Sequence, residues 1–312
     1  MNNTNVKDFA GKKKLWLIIS LAAFVVIAAF AVIRGVEVAI EFKGGTIISY
    51  EHESDTDLSS IQSDIEDYLK TPVTIQAGEN LAGGTKTVAI SFSSDEGLSA
   101  ERQSGLTTLI HEKLENGDDY KVLDSNDVNP TSGREFFIKC LIATIIAARL
   151  IIVYIGIRFK QISGWSAGVC AIIALIHDLI ISFGVFVVCG FEINSNFIAV
   201  ILTILGYSVN DTIVIYDRIR ENRQLMPKAG IAELVNTSCS QSLRRSIRTS
   251  VTTVSTMLIV SIVAYIFGVT SILSFSIPIT VGMIAGTYSS LCIASSIWVW
   301  WHEKSENKRK KK

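Results

Sequence analysis

Asn210 and Asp211 stand side by side in GYSVNDTIVIYDRIREN (206–222), which continues the apolar run FIAVILTIL (197–205). A carboxylate in such a run is costly in hydrocarbon and by default marks an ion path or a pairing site. Tyr207 and Ser208 precede Asp211 by four and three residues, so all three share one helix face. A second polar set follows in SLRRSIRTSVTTVSTML (242–258). With a helix starting near Leu243, Arg245 reaches the depth of Asp211, and Thr249, Thr252 and Thr253 line the next turn. Two chemistries fit. Asp211 and an arginine can form a fixed structural pair. Alternatively, burial favours the neutral acid and a neighbouring cation the carboxylate, which leaves a group able to load and release a cation.

His177 and Asp178 form a third set in ALIHDLIIS (174–182). They read either as an inward pair that serves packing or, for Asp178, as a second station on a proton path. A metal site needs further ligands, and none is evident. The five cysteines (Cys140, Cys170, Cys189, Cys239, Cys292) form no CxxC pair. Gly282 and Gly286 in GMIAG give a small-xxx-small pattern that permits close helix contact. Trp298, Trp300 and Trp301 mark a membrane interface.

The elements that must position these residues are membrane spans. At 49% hydrophobic and a mean hydropathy of +0.40, the chain is too apolar for an ordinary soluble domain of 312 residues. Apolar runs at 15–33, 136–156, 165–188, 196–216, 248–267 and 275–301 are each long enough to cross about 30 Å of hydrocarbon. Asp211 lies 14 residues beyond Phe197, or about 21 Å along a helix. That depth is one third of the bilayer from the inner side.

The net charge of zero conceals a segregation. Residues 35–132 carry 19 acidic and 6 basic side chains, whereas the remainder carries 10 acidic and 23 basic. Lys and Arg gather before the first span, between spans two and three, around 217–247 and in the tail 302–312, while GFEINSN and GVTSILS carry none. By the positive-inside rule both termini are cytoplasmic and 35–132 faces outward. Ala29 and Ala31 would suit signal cleavage after the basic start 1–14, but the apolar stretch 15–33 is long for a signal core.

Within 34–135 the order is strand (41–51), helix (58–70), strand (73–77), strand (85–93), helix (100–115), strand (120–128), with ENLAGG as a loop. This βαββαβ order predicts a small ferredoxin-like α+β domain between spans one and two. His52 and His111 read as lone surface histidines, and the acidity as a solvated face or a surface for basic or unfolded polypeptide. No nucleotide loop, catalytic triad spacing or nucleic-acid signature appears. The expected class is therefore a polytopic α-helical membrane protein of six spans, not an enzyme, with no cofactor beyond an ion gradient.

GYSVNDTIVIYDRIREN resembles the signature of the SecF family, six-span accessory subunits of the bacterial Sec translocon within the resistance-nodulation-division superfamily. Three further stretches match in order. IEFKGG (40–45) is similar to the family's D-F-x-G-G turn, with Gly44 and Gly45 in place and Glu41 for the usual Asp. VNPTSGREF (128–136) is similar to its V-G-P-x-x-G lead into span two, with Asn129 for a Gly. NTSCSQSLRRSIRTSVTT (236–253) is similar to its stretch before span five, with Ser242 and Ser246 for threonines. Gly206 opens the matched signature.

The resemblance implies a partner, SecD, that completes a pseudo-symmetric bundle. It also implies association with the SecYEG channel, often with YajC, and an exported unfolded polypeptide as cargo. The implied activity couples the proton motive force to late steps of export. Asp211 then takes the proton-linked role in span four and Arg245 that of the arginine at span five. A sodium gradient could serve the same carboxylate. Two rival readings are half of a small-molecule or lipid exporter of the same superfamily, and an intramembrane enzyme built on His177–Asp178.

Overall fold

The computed structural model describes residues 6–52, 58–79, 86–94, 98–114 and 120–310; most of ENLAGG lies outside them. Among the described residues, six helices are long and apolar enough to cross a membrane. They are α1 (Lys13–Arg34), α5 (Pro130–Arg158), α6 (Gly164–Cys189), α7 (Ser195–Leu225), α8 (Ile231–Ile266) and a composite last span. The last span is α9 (Thr270–Tyr288), a π-helical turn (Ser289–Ala294) and α10 (Ser295–Lys310).

Several boundaries differ from the sequence reading. Residues 217–247, expected as a loop, are helix apart from a five-residue turn, because α7 and α8 both extend past the apolar runs. Their polar ends are held to each other. Asn222 Nδ2 donates to Ser238 Oγ and Gln241 Oε1 at 2.8 Å each, and Arg218 Nε donates to Gln241 Oε1 at 2.6 Å. An apolar-run search cannot see a helix stabilised this way. The tail from 302, expected to follow the last span, likewise continues α10 as helix through Lys310.

Burial divides the spans. α6, α7 and α9 form the centre, with Ala167, Ala171, Ala174, Val200, Ile204 and Ile279 almost wholly enclosed. In α1 the only buried residue is Ser20. Small residues let α9 approach its neighbours closely. A Cβ on Gly282 would lie 2.6 Å from Ser182 Oγ on α6, and one on Gly286 only 3.1 Å from Ser208 Cβ on α7. Either glycine is thus needed for the packing distance. Trp298, expected at an interface, is instead 1% exposed and packs on Tyr216 and His302, while Trp300 and Trp301 remain exposed.

Between α1 and α5 lies the α+β domain: β1 (Gly45–His52), α3 (Gln62–Leu69), β2 (Val73–Glu79), β3 (Lys86–Phe92), α4 (Ala100–Lys113) and β4 (Lys121–Val128). Its antiparallel sheet has the order β2-β3-β1-β4. Each βαβ unit therefore has one strand inserted between its own two, the split arrangement of ferredoxin-like folds. Ile48, Ile65, Ile90, Leu106 and Ile110 are fully buried between sheet and helices. Each contributes about 1.5–3 kcal/mol by leaving water. His52, read as a surface residue, is buried and stacks on Tyr120 at 4.6 Å.

A short joint links this domain to the bundle. Residues Ile40–Lys43, expected as the start of a strand, form one helical turn, α2, followed by Gly44 and Gly45 at φ 82° and 147°. Glycine reaches these angles without steric cost. Ala39 N donates to Ile193 O at 3.1 Å and Ile193 N to Glu37 O at 2.8 Å, which makes a parallel bridge to the α6–α7 loop. Glu41 accepts from both the backbone N (2.9 Å) and the hydroxyl of Ser195, the first residue of α7. An acid there complements the positive end of the helix dipole. Glu192 in the same loop sits against β2. Burial pushes its carboxyl above the usual range, and Glu37 adds to the rise. Hydrogen bonds from Thr74 and Gln76 and the charge of Lys43 oppose it.

Candidate functional site: two carboxyls in the bundle

Asp178, on α6, is completely buried and fully partnered. His177 Nδ1 lies 3.0 Å from its Oδ1, while Ser208 Oγ and Ser289 Oγ lie 2.6 Å and 2.7 Å from its Oδ2. Ser208 comes from α7. Ser289 comes from the π-helical turn, whose extra residue turns two successive hydroxyls inward. The second of these, Ser290, lies 2.8 Å from Thr212 Oγ1 and donates to Ser208 O. Three helices are thereby tied by hydroxyls around one acid.

Asp211 lies one turn further along α7 from Ser208 and is 6% exposed. Its Oδ1 accepts one hydrogen bond, from Ser246 Oγ on α8 at 3.2 Å. Its Oδ2 is buried and has no hydrogen-bond partner. Leaving such an acceptor unmade costs about 1–3 kcal/mol, more for a charged group. Hydroxyls gather nearby: Ser250 and Thr287 lie 2.5 Å apart, and Tyr207 Oη donates to Ser250 Oγ at 3.3 Å. The unpartnered oxygen thus lies buried among hydroxyls of α7, α8 and α9.

The expected residues divide into two groups. Tyr207, Ser208, Asp178 and Asp211 converge on the α6–α7–α8–α9 core. Arg245, Thr249 and Thr252 project from the exposed face of α8. Among the described residues no ion pair joins Arg245 to Asp211. Thr249, Thr252 and Thr253 do not support Asp211. Each returns its hydroxyl to a carbonyl four residues back. The buried face of α8 is instead Ser242, Ser246 and Ser250. That spacing of four was visible, but serines and threonines interleave there at two helical faces and only packing chooses between them. Asn210 and Gly206 also face outward, with open space around Gly206.

Together these exposed groups make a seam of Gly206 and Asn210 on α7 and Arg245, Thr249, Thr252 and Thr256 on α8. Polar groups along spans of this length are expensive against lipid and belong against other helices.

Sequence and structure comparisons agree with this architecture. Residues 109–304 match the family described as "Protein export membrane protein SecD/SecF, C-terminal". The chain is 35% identical over 301 residues to the protein translocase subunit SecF of Petrotoga mobilis, covering 93% of this chain and 94% of the relative. It is 31% identical over 306 residues to that of Thermobaculum terrenum, covering 95% and 94%. It also matches the Bacillus subtilis protein translocase subunit SecDF at 33% identity over 299 residues, 94% of this chain but 38% of that longer protein. A crystal structure of SecDF from Thermus thermophilus, a translocon-associated membrane protein, superposes with a TM-score of 0.76 at 30% identity. It covers 97% of this chain and 40% of that one. With family match, near-full-length relatives and fold in agreement, the chain belongs to the SecF family of protein translocase subunits.

Proposed function

We propose that this chain works with SecD to couple the proton motive force to late steps of protein export, with Asp211 as the group that loads and releases the proton. The observation that carries this is the half-partnered Asp211 beside an exposed polar seam. A structural acid would be closed on all sides, as Asp178 is. An acid that must change charge needs one side open to a partner, to water or to a mobile cation. The fused SecDF relatives support a SecD-like bundle as what covers the seam, because there one chain carries both names.

Both termini are then cytoplasmic and the α+β domain faces outward. Protonation of Asp211 weakens the pull of Arg245 and lets α7 and α8 shift against the partner. Glu41, seated on the outer end of α7, passes that shift to the outward domain, which contacts the emerging polypeptide beside SecYEG. The drive is sufficient in scale, since one charge crossing 100 mV supplies about 2.3 kcal/mol.

The test is proton flux and export in proteoliposomes holding this chain, a SecD subunit and the SecYEG channel. Asp211→Asn is expected to lose gradient-dependent flux and the gradient-stimulated part of export, while the gradient-independent part persists. Undiminished flux in that variant rejects the role. Replacing the proton gradient with a sodium gradient in the same vesicles identifies the coupling ion.

A further inference from the structure

On a flank lined by no residue of α7 or α8, a cavity of about 460 Å³ opens between α1, α6 and the last span. This volume is in the range of about 300–1,000 Å³ that holds small amphiphiles and ligands. Its walls are almost wholly apolar, with Leu17, Ile176 and Ile297 among them. One end differs from the rest. Lys13 and Lys14 stand there beside Trp16 and Trp300. Lys304 lies 4.8 Å over the Trp300 ring, and Lys13 reaches Glu303 at 3.5 Å.

From Lys13 to Phe24, the α1 residues that bound the cavity, α1 rises about 16 Å. That is about half of a ~30 Å hydrocarbon core, and so the depth of one leaflet. A cationic mouth, indole rings at the same level and an apolar slot one leaflet deep match one molecule: a glycerophospholipid with an anionic headgroup.

We propose that this cavity is a binding site for an anionic phospholipid. Its phosphate meets Lys13 and Lys14, and one acyl chain lies in the slot against α6 and the last span. Neutral lipid fills the slot equally well but gains nothing at the mouth, so headgroup charge determines the preference. Another membrane helix is a poorer occupant. The slot ends at the depth of one leaflet, and a crossing helix would leave the second half of its length without a groove.

The full chain, purified in mild detergent after exposure to equal phosphatidylglycerol and phosphatidylethanolamine, is examined by native mass spectrometry. The wild type is expected to retain phosphatidylglycerol selectively. Lys13→Gln with Lys14→Gln, at the exposed mouth, loses the selectivity but keeps some lipid. Ile293→Trp, which fills the slot, loses retained lipid of both kinds. Retention without headgroup preference, or preference unchanged in the lysine variant, overturns the proposal, as does recovery of a protein partner displaced by Ile293→Trp. Quenching of the indoles by brominated phosphatidylglycerol in vesicles checks the same site independently of recovery. Wild-type quenching that does not fall in Lys13→Gln with Lys14→Gln, which adds no indole, also overturns it.

Discussion

Asp178 and Asp211 lie in the same bundle, the first hydrogen-bonded to Ser208 and the second one turn beyond it on α7, yet they are built in opposite ways. Asp178 receives hydrogen bonds on both oxygens from three helices and is completely enclosed. Asp211 accepts one at Oδ1, from Ser246, and keeps a buried oxygen, Oδ2, without a hydrogen-bond partner. The difference teaches what burial alone does not. A closed network rigidifies and specifies the packing of the helices it joins. An unfinished one stores a penalty that a proton, an arginine or a partner can relieve.

The largest expected effect is on folding at the closed site. Asp178→Ala strands the Ser208 and Ser289 hydroxyls and His177, with an expected loss of about 3–5 kcal/mol. It should appear as a large drop in thermal midpoint in detergent and low yield. Asp211→Ala, by contrast, removes an orphan and is expected to leave the midpoint unchanged or raised. If both variants melt alike, the contrast between the sites is wrong.

Next in size is the open site's function. Ser246→Ala removes the donor to Asp211 Oδ1 and is expected to lower gradient-stimulated export, with Ser246→Thr restoring it. Thr249→Val and Thr252→Val, whose hydroxyls are satisfied within α8, should leave the thermal midpoint of the chain alone unchanged. They should weaken co-purification with a SecD-like partner if the seam is the docking face.

A smaller effect is expected at the joint. Because burial holds Glu192 above the usual carboxyl range, the docked arrangement binds its proton more tightly than a released one does. Docking is then weaker above the docked-state value and strengthens as pH falls through it toward the ordinary glutamate value near 4.5. Spin labels on β2 and the α6–α7 loop should therefore shift toward the short, docked distance on acidification, and Glu192→Gln should remove that dependence.

The smallest effect belongs to the N-terminal segment. The backbone N–H of Gly11 and the Asn236 amide hold the Asp8 carboxyl below its usual range. Its contribution is present above the ordinary aspartate value and lost as pH falls through the depressed one. Asn236→Ala should release residues 8–10 to hydrogen exchange at neutral pH, and to a lesser degree at low pH in the wild type.

Much of this was legible in the residues. Apolar length located six spans, and the alternation of short strands and helices predicted the α+β domain between the first two. An acid at residue 211 inside a hydrophobic run announced itself as a site. The helical extensions at 217–247 were missed, because their stability comes from Asn222, Arg218 and Gln241 bonding across two helices rather than from hydrophobicity. Ser289 and Ser290 carried no signal at all, since an ordinary α-helical turn would not send both inward. The role of Glu41 also needed three dimensions: its partner, Ser195, is 154 residues away.

Periodicity and hydropathy are properties of neighbours along the chain, and they sufficed for the number of spans, the domain between them and the presence of costly acids in lipid. Which face of α8 turns inward, which carboxyl is closed and which oxygen is left unpartnered depend on contacts between helices far apart in the chain. Those were decided only when α9, thinned by its glycines, brought α6, α7 and α8 within hydrogen-bonding reach of one another.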